Sequence, residues 1–258
     1  MYKIHPKTHF VGQIYQYLPS CQSTNDEASA LLAHSDVVEG LLIATDNQTD
    51  GRGQRGNTWE AQPAQNLTFS LLFKPTFLTA TEQFWLNMAV SLGVHDTIAP
   101  LVHEDCRVKW PNDLYIGFRK TGGILIENTL QGYNLAWSVV GIGLNVNQTE
   151  FSYSTATSLQ QEAPLPNGYD RAGLLAILCE KLEKRYLQLR AGQRQVLKSD
   201  YMQTLYRYQQ ETRFSTEDRT FMGMIVDVDE TGRLVVAEAG RTHRFGFKEV
   251  SFVPMTSE

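Results

Sequence analysis

The sequence predicts an α+β fold that ends in a small all-β module. Its 258 residues, of which 42% are hydrophobic and 20% charged, indicate one large globular domain or one domain with a small satellite. Short apolar runs alternate with helical patterns over most of the chain. Beyond residue 213 the pattern changes to short strands separated by turn residues, which predicts the terminal module.

Short apolar runs predict the strands of the main body, because each run is bounded by polar or turn-forming residues. These strands are predicted over residues 13–18, 40–44, 67–73, 107–110, 123–126 and 135–142. The polar, glycine-rich segment 45–58 is predicted to be a loop. Residues 148–169, rich in Ser, Thr, Gln and Pro, are predicted to be an insertion.

Four further patterns predict helices. Thr24 and Glu27 have capping-box spacing at the start of the first helix, and Thr79 and Glu82 repeat that spacing before the second. Pro100 is expected to end the second helix, because proline cannot donate a backbone hydrogen bond. The third and fourth helices are predicted over residues 170–191 and 196–208. One face of the third collects Leu174, Ile177, Leu178, Leu182, Tyr186 and Leu189.

The terminal module contains three predicted strands, over residues 221–228, 234–237 and 242–247. It spans about 45 residues, fewer than the roughly 55–65 at which independent folding becomes common, so we expect it to pack on the main body. The chain is therefore divided into a domain at 1–211 and a β domain at 212–258.

Composition and charge exclude several classes of protein. The net charge of −5 opposes a nucleic-acid or membrane-surface footprint over the whole protein. The amino terminus lacks the apolar core of a signal peptide, and no apolar run reaches the roughly 18–20 residues of a membrane span. Cys21, Cys106 and Cys179 are far apart and have no metal-ligand spacing, which favours a reduced, cytoplasmic protein.

The segment 51–59 is the most unusual in the chain. Its glycines let the backbone approach a ligand closely, and Arg52 and Arg55 supply forked donors suited to phosphate or carboxylate. It lacks the lysine of a G-x-x-x-x-G-K-[ST] phosphate loop. From these residues alone, a plain surface loop and a short RNA-binding arginine–glycine tract both stay open.

Two further motifs lie at strand ends. Lys109 precedes a turn that contains Asn112 and Asp113, an order that suits presentation of an ammonium group to an anionic reacting centre. An ordinary strand-to-turn exit explains the same residues. Paired Gly122 and Gly123 indicate that something packs against the backbone there, or that the chain bulges or turns tightly.

The remaining inventory favours electrostatic rather than covalent chemistry. The six histidines are scattered, and the chain has no G-x-S-x-G nucleophile motif. The glycines at 141 and 143 lack the third glycine of a dinucleotide fingerprint, although Asn145 is a polar group at a strand end. Arginine, lysine, asparagine and glycine together suit stabilisation of charge in phosphate chemistry.

Taken together and in order, five segments resemble biotin protein ligases. They are residues 23–25, 51–59, 109–113, 120–127 and 141–147. The resemblance implies a mixed β-sheet with flanking helices, as in class II aminoacyl-tRNA synthetases and lipoyl ligases, followed by a small SH3-like barrel. It also implies two reactions. Biotin and ATP form biotinyl-5′-AMP, and a specific lysine of a biotin carboxyl carrier domain then accepts the biotin.

The resemblance also implies roles position by position. Lys109 would bridge the biotin carboxylate and the α-phosphate and would be catalytic together with Arg52. The residues implied in biotin binding are Ser23, Thr24, Asn25, Gln48, Arg52, Gly53, Gln54, Lys109, Gly122 and Gly123. Those implied in nucleotide binding are Arg55, Trp59, Asn112, Lys120 and Asn145. Mg²⁺ is expected to accompany ATP, and its protein ligands are left open.

Two positions depart from the usual pattern of the family. Gln54 stands where many members have an arginine, and Asn57 replaces another basic residue, so the segment has less positive charge with which to hold the adenylate. About 20 residues precede Ser23, too few for the winged-helix domain that some members carry. We therefore expect a ligase that does not bind DNA.

Three alternatives remain open at this point. One is a lipoate or octanoate transferring protein of the same superfamily, although segments 51–59 and 109–113 favour biotin. Another is a module that binds biotin or a carrier protein without catalysis. The third is RNA binding by residues 51–56. The sequence does not distinguish a monomer from a homodimer.

Overall fold

The computed structural model describes residues 4–34, 36–53 and 58–253. The strands of the main body are β1 (Tyr15–Cys21), β2 (Leu42–Gln48), β3 (Leu67–Phe73), β4 (Cys106–Lys109), β5 (Asp113–Ile116), β6 (Arg119–Gln131) and β7 (Asn134–Leu144). They form one sheet in the order β1-β2-β3-β7-β6-β5-β4. β1 and β2 are parallel, and the other neighbours are antiparallel. The predicted α+β class with a mixed sheet is confirmed.

Helices cover both faces of this sheet. They are α1 (Thr24–His34), α2 (Gln83–Ile98), α3 (Leu159–Glu162), α4 (Arg171–Arg190) and α5 (Arg194–Thr204). α1 covers one face, where it packs near Ile43, Leu72 and Val139. The neighbouring residues Leu71 and Val140 point the other way, into the larger core under α2 and α4, because strand side chains alternate between faces.

The helix α2 is the centre of the larger core. It is buried along most of its length and has no polar face, which is the pattern of a helix surrounded by protein. A Cβ at Gly93 would lie 2.8 Å from Leu182 Cδ2, so glycine permits the close approach of α4. The backbone N–H of Thr79 donates to Glu82 at 3.0 Å, which confirms the second capping box at the short 3₁₀ turn preceding α2.

The C-terminal module is a second, antiparallel sheet that packs on the main body, as expected. Its strands are β8 (Glu211–Ser215), β9 (Thr220–Val228), β10 (Leu234–Glu238), β11 (Arg241–Phe245) and β12 (Ser251–Phe252), in the order β11-β10-β9-β8-β12. Trp110 Nε1 donates to the Gly232 carbonyl at 2.9 Å, and the Phe247 ring stacks on Trp110 with centroids 5.2 Å apart. The division at 1–211 and 212–258 remains a prediction.

Two local predictions around the first helix are wrong. α1 begins at Thr24, so Thr24 is not its N-cap, and the Thr24 hydroxyl instead lies 2.7 Å from Ser70 Oγ of β3. β2 continues to Gln48, although the sequence predicts a loop from residue 45. Parallel pairing of Cys21 with Gln48 extends the strand, so tertiary pairing outweighs the polar composition.

Other differences lie at element ends and at short strands. The sequence does not predict β5, β8 or β12, which are short and depend on neighbouring strands for their stability. The helix predicted over residues 196–208 corresponds to α5, which ends at Thr204 because Leu205 forms a bridge with Val108 of β4. Ile177 is 46% exposed, so its predicted place on the apolar face of α4 is wrong.

We expect Gly232→Ala to destabilise the protein more than Gly240→Ala. Both glycines have positive φ, +87° and +79°, so either alanine has a strained backbone that costs about 1 kcal/mol. A Cβ at Gly232 would also overlap the ring of Phe84, whereas no heavy atom lies within 4 Å of a Cβ at Gly240. Overpacking adds roughly 1–3 kcal/mol. Urea unfolding of the two variants measures the difference, and equal losses would contradict this packing.

Candidate functional site

A cavity of about 470 Å³ lies on the face of the sheet that α1 covers. It is bounded by the start of α1, the first half of β6, the end of β7, the turn after β4 and the C-terminal module. Of the residues predicted from the sequence, those that line the cavity are Ser23, Thr24, Asn25, Gln48, Arg52, Gly53, Trp59, Lys109, Asn112, Lys120 and Gly123. The fold thus brings together residues from segments far apart in the chain.

Two predicted site residues lie outside the cavity lining, and three predicted positions lie outside the described residues. Gly122 does not line the cavity, because alternation along β6 turns it toward Leu114 and Leu144. Asn145 is buried just past the end of β7 and is also outside the lining. Gln54 and Arg55 lie outside the described residues, and so does Asn57.

A polar pocket forms where α1 begins. The backbone N–H of Thr24 donates to Gln48 Oε1 at 2.9 Å. Ser70 Oγ lies 2.7 Å from the Thr24 hydroxyl and 2.6 Å from Asn25 Oδ1. Asn25 Nδ2 donates to Glu127 Oε2 at 2.6 Å. These hydrogen bonds fix the orientation of the polar side chains. The pocket is therefore preorganised for a ligand with amide-like groups.

Glycines form the floor of the cavity. Gly141, Gly143 and Gly123 lie on adjacent positions of β7 and β6, with Gly143 paired directly to Gly123. A Cβ at Gly141 would overlap the side-chain amide of Asn25, and one at Gly143 would overlap the indole of Trp59. Gly141 and Gly143 are needed because other side chains occupy the space above them.

The indole of Trp59 lies flat over this floor. Its Nε1 is buried without a hydrogen-bond partner among the described residues. Lys120 Nζ lies 5.7 Å from the centre of the Trp59 ring, close enough for cation–π attraction. Unpaired buried polar atoms are costly, so this part of the site is suited to a ligand that supplies partners.

Arg52 lies at the edge of the polar pocket. Its guanidinium contacts the Asp26 carboxylate of α1 and lies 3.9 Å from Glu127 Oε1. Glu127 also accepts from Asn25, so one carboxylate connects the pocket to the start of the glycine–arginine segment. The Arg52 and Asp26 side chains are about half exposed, which makes this pair individually weak and replaceable by an anionic ligand.

Two lysines occupy the opposite side of the cavity in different surroundings. Lys120 Nζ contacts Asp113 Oδ1 at 2.7 Å. Lys109 Nζ instead donates to the Tyr115 hydroxyl at 3.1 Å. Burial lowers the pKa of Lys109 below its ordinary value, while the nearby Asp113 carboxylate opposes that shift. Lys109 is thus a partly desolvated cation suited to an anionic reacting centre.

Asn112 and Asn145 bind backbone. Asn112 Nδ2 donates to the Ile124 carbonyl, and Asn145 Nδ2 donates to the Thr157 carbonyl at 2.9 Å. Asn112 therefore fixes the turn after β4 against β6, and Asn145 fixes the polar insertion against the end of β7. Asn112 lines the cavity and positions its wall, whereas Asn145 and Thr157 lie outside the lining.

Sequence reasoning missed the contribution of the C-terminal module. The cavity residues from this module are Phe247, Lys248, Val250, Ser251 and Phe252. The sequence predicts this region as β structure on the basis of its turns, and that pattern does not indicate which side faces the main body. Ser70 was also missed, although a lone serine in the apolar strand Leu67–Phe73 is a signal that could have identified it.

Residues 4–34, 36–53 and 58–253 contain neither a cluster of metal-ligating side chains nor a membrane-spanning helix. No group of three or more His, Cys, Asp or Glu side chains is arranged to hold a metal ion. Each helix in these ranges is too short or too polar to span a bilayer.

Family models match both parts of the chain. Residues 17–145, half of the chain, match the biotin/lipoate A/B protein ligase family. Residues 210–253 match the biotin protein ligase C-terminal domain.

Similar proteins support the same relationship. The bifunctional ligase/repressor BirA of Bacillus subtilis is 31% identical, with 89% of this chain and 71% of that protein covered. The biotin–[acetyl-CoA-carboxylase] ligase of Mycobacterium tuberculosis is 29% identical, with coverage of 85% and 82%. The Aquifex aeolicus biotin protein ligase, solved with biotin and ATP, has the same fold, with a TM-score of 0.76, 24% identity, and 93% and 98% of the two chains covered.

We expect Gly143→Ala to move the Trp59 indole off the sheet, because the new Cβ would overlap the ring. Fluorescence emission should shift to the red, and acrylamide should quench the protein more strongly. The same substitution in a Trp59→Phe background is the control, and there the remaining tryptophans should respond as in Trp59→Phe alone. Unchanged emission and quenching in Gly143→Ala would show that Trp59 does not rest on Gly143 in solution.

Proposed function

We propose that this chain, which belongs to the biotin protein ligase family and shares its ligase activity, acts through the cavity described above. It forms biotinyl-5′-AMP from biotin and ATP and then transfers the biotin to a lysine of a biotin carboxyl carrier domain. The observation that best supports this use of the cavity is a polar pocket and a partly desolvated lysine in one space of about 470 Å³.

The polar pocket is the proposed biotin site. Ser23, Thr24, Asn25 and Gln48 would bind the polar groups of biotin, and bare backbone at Gly123 leaves room for its apolar part. Gln48 commits its carbonyl oxygen to Thr24, so its contribution to a ligand comes from Nε2. A buried ureido group needs such partners, because an unsatisfied polar group costs roughly 1–3 kcal/mol.

Lys109 is the proposed catalytic residue for adenylation. A biotin carboxylate oxygen attacks the α-phosphorus of ATP, the bond to the β-phosphate oxygen breaks, and pyrophosphate leaves. Two anions must approach each other in this step, and the Lys109 ammonium would offset their repulsion and the charge that grows on the α-phosphate. Arg52 and Gly53 are proposed to close over the carboxylate and the adenylate from the other side.

The second step transfers biotin to the carrier. The neutral amine of a carrier lysine attacks the carbonyl carbon of the mixed anhydride, AMP leaves, and the amine loses a proton as the amide forms. The anhydride reacts with water, so the cavity must exclude water until the carrier arrives. The carrier itself is proposed to be the biotin carboxyl carrier domain of acetyl-CoA carboxylase or a related carboxylase.

The remaining cavity is the proposed nucleotide site. Trp59 and Lys120 would contact the nucleotide, and Asn112 would position the cavity wall through its backbone hydrogen bond. Asn145 is kept as a proposed neighbour of the nucleotide. Arg55, outside the described residues, is kept as a proposed phosphate ligand. Mg²⁺ is proposed to enter with ATP, bound mainly by phosphate oxygens and water.

A cytoplasmic location is also part of the proposal. It is supported by the three cysteines, Cys21, Cys106 and Cys179, which are all free thiols. Free thiols are typical of reducing compartments.

ATP–pyrophosphate exchange with purified protein tests the proposal directly. Parallel reactions contain biotin, lipoate or no acid, each with Mg²⁺. Exchange only with biotin is expected. Exchange with lipoate instead would assign the chain to the lipoate branch of the family, and biotin binding without any exchange would favour a binding module.

We expect Lys109→Ala to reduce adenylate formation by at least about 10²-fold, the lower range for loss of one electrostatic donor at a reacting centre. Lys184→Ala, which removes an exposed lysine from α4, is the matched control and should leave the rate unchanged. Single-turnover formation of biotinyl-5′-AMP is the measurement. Near-normal turnover in Lys109→Ala would refute the assigned role even if the protein is a ligase.

We expect Ser70→Ala to weaken biotin binding while sparing ATP. Ser70 is buried and holds both Thr24 and Asn25, so its loss frees two groups of the pocket. The KM for biotin should rise about 10-fold, which corresponds to one unsatisfied buried polar group. The KM for ATP should stay constant, and Ser199→Ala on the exposed side of α5 should change neither. Equal changes in both KM values would mean a general loss of structure.

A further inference from the structure

The ammonium group of Lys109 is enclosed by aromatic rings. Its Nζ lies 4.5 Å from the ring centre of Tyr115, 5.2 Å from that of Phe252 and 6.0 Å from that of Tyr206. Cation–π attraction acts within about 6 Å of a ring centre. With the hydrogen bond to the Tyr115 hydroxyl, these three residues surround the cation, and they are called the Lys109 cage below.

The cage is assembled from three separate parts of the fold. Tyr115 lies on β5, and Tyr206 follows α5, where its N–H donates to the Val108 carbonyl at 2.8 Å. Phe252 lies on β12 and pairs with Phe214 of the C-terminal sheet. The ring of Tyr206 lies 5.6 Å from Tyr115 and 5.7 Å from Phe252, so the rings support one another.

The cage holds the cation with neutral groups. Asp113, which pairs with Lys109 across β4 and β5, has its carboxylate in contact with Lys120 instead. A carboxylate in contact with Lys109 would have to be displaced before an anionic ligand could bind. Ring faces and a hydroxyl do not need to be displaced in this way, and partial removal of water strengthens the attraction of the ammonium for an incoming anion.

We propose that the Lys109 cage is a positioning device for adenylation, in which Tyr115, Tyr206 and Phe252 exclude water from the ammonium and fix it where the carboxylate and the α-phosphate meet. Phe252 makes the C-terminal module part of the adenylation centre. This inference rests on the proposed function, because it uses the role assigned there to Lys109.

The charge state of Lys109 gives a readout of the cage. The charged groups near its Nζ are Asp113 on β5, Lys120 on β6 and Arg207 after α5, and Lys248 of the C-terminal module lines the same cavity. Burial raises the pKa of the Tyr115 phenol, so it stays neutral while Lys109 titrates. The cage therefore acts on Lys109 through desolvation, hydrogen bonding and ring electrostatics.

The first experiment measures this titration in the ligand-free protein. NMR of protein labelled with ε-¹³C lysine follows the Lys109 Cε resonance, which is assigned by its absence in Lys109→Arg. Tyr115→Phe and Phe252→Leu should each lower the midpoint, because each removes a group that favours the charged form while retaining apolar bulk. Arg207→Met should raise the midpoint, because it removes a like charge. A general loosening of the structure would shift the Lys109 midpoint in the same direction in all three variants, so a decrease in two and an increase in the third would not arise from it.

The second experiment measures adenylate formation under single-turnover conditions. Tyr115→Phe should lower the rate constant about 10-fold, as expected for one hydrogen bond to a charged group, and should change the KM values less than about 2-fold. Phe252→Leu should also lower the rate constant, by a smaller factor than Tyr115→Phe, and should likewise leave the KM values nearly unchanged. Tyr133→Phe and Phe118→Leu are matched controls on residues that are 90% and 77% exposed, and both should behave as the parent.

The outcomes separate this inference from the proposed function. If the Lys109 midpoint and the rate constant are unchanged in both Tyr115→Phe and Phe252→Leu while Lys109→Ala is inactive, the cage has no positioning role and the proposed function stands. If Lys109→Ala keeps its activity, the assigned role of Lys109 is wrong. The proposed role of the cage in adenylation is then also wrong, whatever the NMR titration shows.

Discussion

The cavity depends on one constraint, a strip of sheet that carries no side chains. Gly123 of β6 pairs directly with Gly143 of β7, so the backbone is bare across two neighbouring strands. The side chains of Asn25 and Trp59 pack against this face. A Cβ at Gly141 would overlap Asn25, and a Cβ at Gly143 would overlap Trp59. Because the strip lies beside the start of α1, it forms the floor under both the polar pocket and the Trp59 indole. The cavity is deep because this floor carries no side chains.

The lysine on the other side is placed by elements remote from it in sequence. Asn87 of α2 and Tyr201 of α5 both donate to the Pro111 carbonyl, at 2.9 Å and 3.2 Å. The turn that follows Lys109 is therefore held by two helices, and moving it would leave a buried carbonyl unsatisfied. The C-terminal module completes the wall through Phe252, so the two sheets build one site together.

Three cations of the site, Arg52, Lys120 and Lys109, differ in the groups that hold them. Arg52 contacts a half-exposed carboxylate, Lys120 contacts Asp113, and Lys109 contacts aromatic rings and a hydroxyl. An anionic ligand would have to replace a carboxylate at the first two positions but not at Lys109. That distinction suits a reaction in which two anions must meet at one cation, because the carboxylate nearest to Lys109, that of Asp113, is in contact with Lys120 instead.

The sequence by itself determined the α+β class and the long helices, because periodicity is a local signal, and its resemblance to biotin protein ligases implied a part of the cavity lining, Lys109 and Asn25 included. Ser70 had only the signal of a lone serine in an apolar strand, and Phe252 had no such signal, because its role depends on how the C-terminal module packs on the main body. Strand alternation turned Gly122 away from the cavity and kept Gly123 in it, although the two are adjacent. Only the tertiary structure decided these cases. The side of the sheet to which a residue points, and the residues that it contacts, depend on how strands pair and sheets pack, which short-range patterns do not specify.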